Sequence, residues 1–205
     1  MKTQPTTLCL NMIVKNESHI IERLLQSVLP FIDSFCICDT GSTDNTVEII
    51  RSFFSDKNIQ GKVIQEPFQD FGYNRSFALN ACIDVPNSDY ILLLDADMKF
   101  QYKFQNLSPS EFKAKLVYDA YFVSQGNDAL NYQNIRIVKN RCGFSYWGVT
   151  HEYVKSHENC VFGTFHVNEL FINDIGDGGC KDDKVERDIR LLTNGLIDNP
   201  NKTIL

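Results

Sequence analysis

The chain begins with a nearly continuous apolar run, Leu8 to Val14 (LCLNMIV). Ile20, Ile21, Leu24, Leu25 and Val28 then recur at helical spacing until Pro30. The first pattern predicts a strand covered on both faces, the second an amphipathic helix over Ser18 to Leu29. The alternation repeats: Ser34 to Asp39 (SFCICD) is a second apolar strand, Thr40 to Asn45 is rich in turn formers, and Val47, Ile50, Phe53 and Phe54 mark a second helical face. Lys62 to Gln65 reads as a third strand, Tyr73 to Ile83 as a third helix, and Tyr90 to Leu94 (YILLL) as a fourth strand that delivers Asp95. Strands apolar on both faces, alternating with helices, specify an α/β fold: a Rossmann-like, mostly parallel central sheet flanked by helices, with right-handed crossovers. Ligands of such sheets bind beyond the carboxyl ends of the strands, where Asn16-Glu17, Asp39 and Asp95-Ala96-Asp97 fall.

After Phe100 the pattern becomes mixed. A short helix is expected near Pro109 to Leu116, strands over Tyr118 to Val123 and Tyr132 to Val138, and a turn at Asn140 to Gly143. Asp182 to Ile197 reads as a closing amphipathic helix, capped by Asp182 or Asp183, with Val185, Ile189, Leu192 and Leu196 inward. Residues 1–205 are expected to form a single domain whose two halves meet near residue 100, with no internal repeat or linker.

Composition narrows the chemistry. The formal net charge of −6 gives no broad electrostatic footprint for nucleic acid or an anionic membrane, so neither is expected as a partner. A diphosphate ligand would have to be neutralised locally, by a metal or a few placed cations. The seven cysteines show no repeated CxxC pair and no histidine spacing suited to zinc, and read mostly as buried thiols of a reducing compartment. The strand period turns Cys36 and Cys38 to one face, where packing is the expected role. No secretory signal and no transmembrane segment is expected, and the localisation expected is cytoplasmic.

A hydrocarbon strand ending in Asp95-Ala96-Asp97 sets two carboxylates, two residues apart, on one side of the chain at a sheet edge. Such hard oxygen ligands suit Mn²⁺ or Mg²⁺, whose remaining positions are normally shared with substrate phosphates and water. Asp is common after strands, so a solvated turn competes with this reading. In Asp39-Thr40-Gly41-Ser42-Thr43-Asp44, Gly41 permits close backbone approach and the following helix start offers free N–H groups, with capping by Thr43 or Asp44 as the plain alternative.

Asn11 to Glu17 (NMIVKNE), Cys38 to Thr46 (CDTGSTDNT), Phe71 to Leu79 (FGYNRSFAL) and Leu92 to Met98 (LLLDADM) resemble, in order and spacing, the family 2 glycosyltransferases of the GT-A fold. Tyr146 to Tyr153 (YWGVTHEY) resembles the Trp…His-Glu signature of the branch often fused to tetratricopeptide repeats or acting on bacterial surface glycans. The resemblance implies an inverting, metal-dependent hexosyltransferase with a nucleotide-sugar donor, a UDP-sugar in the first instance, and a glycan, protein or lipid-linked acceptor. It divides the chain into a nucleotide-sugar-binding half (1–100) and an acceptor-side half (101–205), and implies a piece of a longer protein.

Residue by residue, the resemblance assigns Val14, Lys15, Asn16 and Glu17 to the loop lining the base, Asp39 to the base or ribose, and Arg75 to a place near the nucleotide, paired with Asp39 or the base. Gly41 and Ala96 fall in the nucleotide-binding segments. Asp95 and Asp97 match the DxD pair, Asp97 as the direct metal ligand. Glu152 is the candidate base, His151 a candidate metal ligand, and Trp147 a flat face for a sugar ring. The chain departs from the pattern at Ser76, where an Asn is usual. It departs again at Ile172 to Gly179, where a His-x-Gly is usual, so a third metal ligand there would be Asp174 or Asp177. That glycine-rich stretch reads as a mobile lid, with Lys181, Lys184 and Arg187 placed after it to meet the diphosphate, a solvated helix face being the equal alternative for Lys184 and Arg187. The competing readings are a non-catalytic nucleotide-sugar-binding module and a nucleotidyltransferase, whose glycine-rich basic signature NMIVKNE lacks; a phosphatase is weaker still, since no Thr follows Asp95 at the required place.

Overall fold

The computed structural model describes residues 5–127, 129–178 and 184–198. The first half runs β1 (Leu8–Val14), α1 (Ile21–Val28), β2 (Ser34–Asp39), α2 (Thr46–Asp56), β3 (Gln60–Gln65), α3 (Phe71–Asn80), one 3₁₀ turn (Ala81–Asp84) and β4 (Tyr90–Leu93). The four strands are parallel in the order β3-β2-β1-β4. The strand period explains the run LCLNMIV: Leu8, Leu10, Met12 and Val14 join the apolar layer under α1 and α2, while Cys9 joins the layer under α3 with Cys36 and Cys82. Asn11, also on the α3 face, is buried yet satisfied, its Nδ2 donating to the carbonyls of Cys36 at 2.8 Å and Ala78 at 2.9 Å. Helix starts differ from the periodicity by a turn where caps decide: Asp70 accepts from Tyr73 N at 2.7 Å, so α3 begins at Phe71.

The second half comprises β5 (Met98–Tyr102), α4 (Pro109–Ala114), β6 (Ala120–Gly126), β7 (Asn131–Lys139), β8 (Ser145–Trp147), β9 (Tyr153–Lys155), β10 (Phe162–Phe165), β11 (Leu170–Asp174) and α5 (Lys184–Asp198). Among the described residues nine strands form one mixed sheet, β3-β2-β1-β4-β7-β6-β11-β5, with β10 also beside β6. β10 runs parallel to Ala120–Val123 and β11 parallel to Ser124–Gly126, so two short strands divide one edge of β6. β4 and β5 are consecutive in sequence but separated in the sheet by β7, β6 and β11, so the turn holding Asp95-Ala96-Asp97 carries the chain across the sheet's edge. The sheet curls around α1: Phe100 N donates to Ser27 Oγ at 3.1 Å, and Phe31 packs on Phe100 and Tyr102 with ring centroids 5.0 and 4.7 Å apart. β8 and β9 pair separately as an antiparallel hairpin against α3.

The last helix corrects an expectation. Val185, Ile189 and Leu196 were expected inward, but they are 71, 59 and 54% exposed, and Leu192 is only half-buried. The protected face carries Arg187, Asp188, Leu191 and Gly195 instead. This inversion follows from what the helix faces, a charged cleft and not an apolar layer. The expected caps Asp182 and Asp183, together with Lys181 and Cys180, lie outside the described residues. Cys9, Cys36, Cys38 and Cys82 are buried, whereas Cys142 and Cys160 are partly exposed. No helix among the described residues is long and apolar enough to cross a membrane.

Candidate active site

A cleft of about 670 Å³ opens at the carboxyl ends of β1 and β4. Val14, Lys15 and Glu17 line it after β1, Thr40 after β2, Asp95, Ala96 and Asp97 after β4, and Thr150, His151 and Glu152 between β8 and β9. Asp174, Gly176 and Gly178 close one side after β11, and Lys184, Arg187 and Arg190 of α5 close another. The cleft therefore draws on both halves of the chain.

Arg75, from the second turn of α3, is the hub. Its Nη1 lies 2.5 Å from Asp95 Oδ1 and its Nε 2.6 Å from Glu152 Oε1. The Nε contact is off the N–H direction and so is Coulombic more than a hydrogen bond. The guanidinium also sits 5.8 Å over the ring of Tyr146, whose phenol burial pushes up to about 12. Burial alone would lower the Arg75 pKa, but Asp95 and Glu152 outweigh it and keep the side chain charged. Of the two partners expected for it, Asp39 is not the one it meets: Arg75 joins the first DxD carboxylate to the candidate base while still lining the cleft. Asp39 is buried beside β1, accepting from Ser42 N at 3.1 Å.

Arg136, on β7, is a buried cation behind the site that the sequence reading missed. It is buried, donates from Nε to Gln125 Oε1 at 2.6 Å, and brings Nη1 within 3.7 Å of Asp95 Oδ2. A charged residue inside the apolar run Ile135-Arg136-Ile137-Val138 was the available signal, because a buried arginine needs an anionic partner.

The two DxD carboxylates are thus unlike. Burial penalises ionised Asp95, but Arg75 and Arg136 more than offset that and hold its pKa below the ordinary value. Asp97 has its pKa raised, first by burial and then by the charges of Asp95 and Asp174. Neighbouring carboxylates of this kind form a hard-oxygen donor set that suits Mn²⁺ or Mg²⁺. Of the two candidates for a third ligand, Asp177 is engaged by Arg23 in a bidentate pair at 2.7 and 2.8 Å, leaving Asp174 beside Asp97. Ile175 N also donates to the Asp97 carbonyl at 3.2 Å, so the stretch expected to be a mobile lid is tied down at least as far as Asp177.

Other predicted residues serve the frame. Asn16 adopts φ +56°, donates its N–H to Ser42 Oγ at 2.9 Å and accepts from Thr43 N at 2.7 Å, locking the 40–46 loop. Gly41, at φ +109°, meets nothing where a Cβ would lie, so glycine is needed there for conformation and not for space. Asn16, Asp39, Gly41 and Trp147 do not line the cleft. The Trp147 ring instead faces Lys155 Nζ, 5.2 Å from its centroid.

The loop bearing His151 and Glu152 is placed by close backbone contact with α3. Phe71 N donates to Val149 O at 3.1 Å, and a Cβ at Gly72 would collide with the Gly148 carbonyl oxygen. Ser76 Oγ accepts from Tyr146 N at 2.9 Å, which gives the departure from the usual Asn a local role. Gly72→Ala should therefore push the loop off α3, costing about 1–3 kcal/mol of stability in a denaturant melt and lowering activity as Glu152 moves.

The glycosyl transferase family 2 model matches residues 9–159. The chain is 32% identical over 115 residues to the SPbeta prophage-derived glycosyltransferase SunS of Bacillus subtilis, covering 56% of this chain and 24% of that protein. It is 29% identical over 170 residues to an uncharacterized glycosyltransferase of Rickettsia felis, covering 82% of this chain and 56% of that one. Among solved structures, a mannosyltransferase from Pyrobaculum calidifontis, in complex with GDP-Man and Mn²⁺, matches all of this chain and 67% of its own with TM-score 0.60 at 13% identity. S. aureus TarS residues 1–349, in complex with UDP-GlcNAc, match 97% of this chain and 68% of their own with TM-score 0.58 at 13% identity. The architecture is that of the GT-A glycosyltransferases. The chain belongs to glycosyl transferase family 2, and it spans about a quarter to a half of the curated relatives' length.

Proposed function

We propose that the cleft binds a nucleotide sugar, a UDP-sugar in the first instance, together with Mn²⁺ or Mg²⁺, and transfers the sugar with inversion to a hydroxyl of a glycan, protein or lipid-linked acceptor. The observation that carries this reading is the contrast between Asp95, neutralised by two arginines, and Asp97, which faces Asp174 with its pKa raised. Residues 1–100 supply most of the donor side and residues 101–205 the acceptor side and the diphosphate cations. The nucleoside-diphosphate sugars held by the Pyrobaculum and S. aureus structures belong to the same ligand class.

A divalent ion held by Asp97 and Asp174, when bound, supplies charge stabilisation to the departing diphosphate. Lys184, Arg187 and Arg190 line the same cleft and offer further positive charge to that group. Arg75 fixes the Glu152 carboxylate at the cleft wall. Glu152 takes the proton of the acceptor hydroxyl as that oxygen bonds to the anomeric carbon and the bond to the nucleoside diphosphate breaks. Glu152→Gln keeps an oxygen for Arg75 but cannot accept the proton. Its kcat should fall by about 10²–10⁴-fold, with donor affinity by calorimetry within a few-fold of the parent. Retained kcat would place the base elsewhere.

A further inference from the structure

Away from the cleft, three metal-ligating side chains meet: Asp119, just before β6, and His157 and Cys160, between β9 and β10, present ligand atoms within 4.8 Å of one another. Cys160 N donates to the His157 carbonyl at 3.3 Å, closing a turn that brings imidazole and thiol together. Asp119 is held by the next residue of that loop, its carboxylate accepting from Val161 N at 3.0 Å and its backbone N–H donating to the Val161 carbonyl at 2.9 Å. Cys160 packs half-buried against the apolar layer beneath α3, and the buried Phe144 ring stands 6.0 Å from the imidazole.

We propose that Asp119, His157 and Cys160 form a zinc site. A thiolate, an imidazole and a carboxylate are a borderline-soft donor set that Zn²⁺ takes at ligand distances of about 2.0–2.3 Å, with the fourth tetrahedral position left to water. The cleft, whose acidic donors are carboxylates, selects hard ions instead, so the two sites are chemically separate. Packing accounts for each residue singly but not for three donors gathered in one place. Asp119 precedes β6, and His157 and Cys160 follow β9, so zinc at this position would tie the exit of the hairpin whose far end carries His151 and Glu152 to the start of a central strand. Neither the sugar donor nor the reaction enters this inference.

The test is titration of the reduced, metal-free chain with Zn²⁺ alone, and with Co²⁺ as a spectroscopic substitute. The expected result is one Zn²⁺ per chain, a melting temperature raised by several degrees, and a near-ultraviolet thiolate-to-cobalt charge-transfer band that Zn²⁺ displaces. His157→Ala, at an exposed side chain, should weaken Zn²⁺ binding at least about tenfold. Cys160→Ser should abolish the band, and Asp97→Asn should leave it intact. No band, or a band and melting shift unchanged in His157→Ala, overturns the proposal.

Discussion

Replacing Asp97 with asparagine should lower metal-dependent sugar transfer by roughly 10³-fold, several kcal/mol of lost charge stabilisation, while making the metal-free protein more stable. Both effects have one origin. The Asp97 pKa is raised above its ordinary 3.8 by burial and then by Asp95 and Asp174, so its ionised form is strained until a cation arrives. A carboxyl whose pKa is raised on folding stabilises the fold below its unfolded pKa and loses that contribution as pH climbs through the folded value. Metal-free parent stability should thus decline above about pH 4 in a way that Asp97→Asn does not share. The gain at neutral pH is expected near 1 kcal/mol, readable as a shift of about 2–4 °C in a thermal melt. A variant that loses both activity and metal-free stability would mean that Asp97 is a framework residue.

Arg75→Met is expected to produce the largest loss of stability, about 3 kcal/mol, because two partly buried carboxylates lose the cation between them. The sign with pH is opposite to that at Asp97. Asp95 has its pKa depressed against the opposing effect of burial, so the stability it contributes is present above 3.8 and disappears as pH falls through the folded value. The deficit of Arg75→Met should be greatest at neutral pH and narrow below about pH 4. Arg75→Lys should restore charge but not function, since one ammonium cannot span Asp95 and Glu152 as the guanidinium does. A lysine variant with parental kcat would show that the charge alone suffices. Chemical denaturation across pH, paired with initial rates, separates these outcomes.

β1, β2 and β4 were legible because each lies in an apolar run, and their polar ends were readable as ligand positions. β5, β8, β9, β10 and β11 were not: each is three to five residues long and owes its existence to partners far away in sequence. α5 was placed correctly as a helix but turned the wrong way, because an apolar stripe is taken to face a core, whereas this helix turns Arg187 and Asp188 toward a charged cleft. Arg136 went unremarked inside the strand expected over Tyr132 to Val138, although it is the second cation on Asp95. The link between Arg75 and Glu152, far apart in sequence, arises only when β8 packs against α3.

The central claim is that the Asp97–Asp174 edge of the cleft holds a divalent ion with a nucleotide sugar. The most direct measurement is a thermal melt of the parent and of Asp97→Asn, with Mn²⁺ or Mg²⁺ and a panel of nucleotide sugars. The account predicts that at least one sugar nucleotide raises the parent's melting temperature only when metal is present, and that Asp97→Asn shows no such rise. A parent unmoved by the whole panel, or a variant that responds as the parent does, would contradict it.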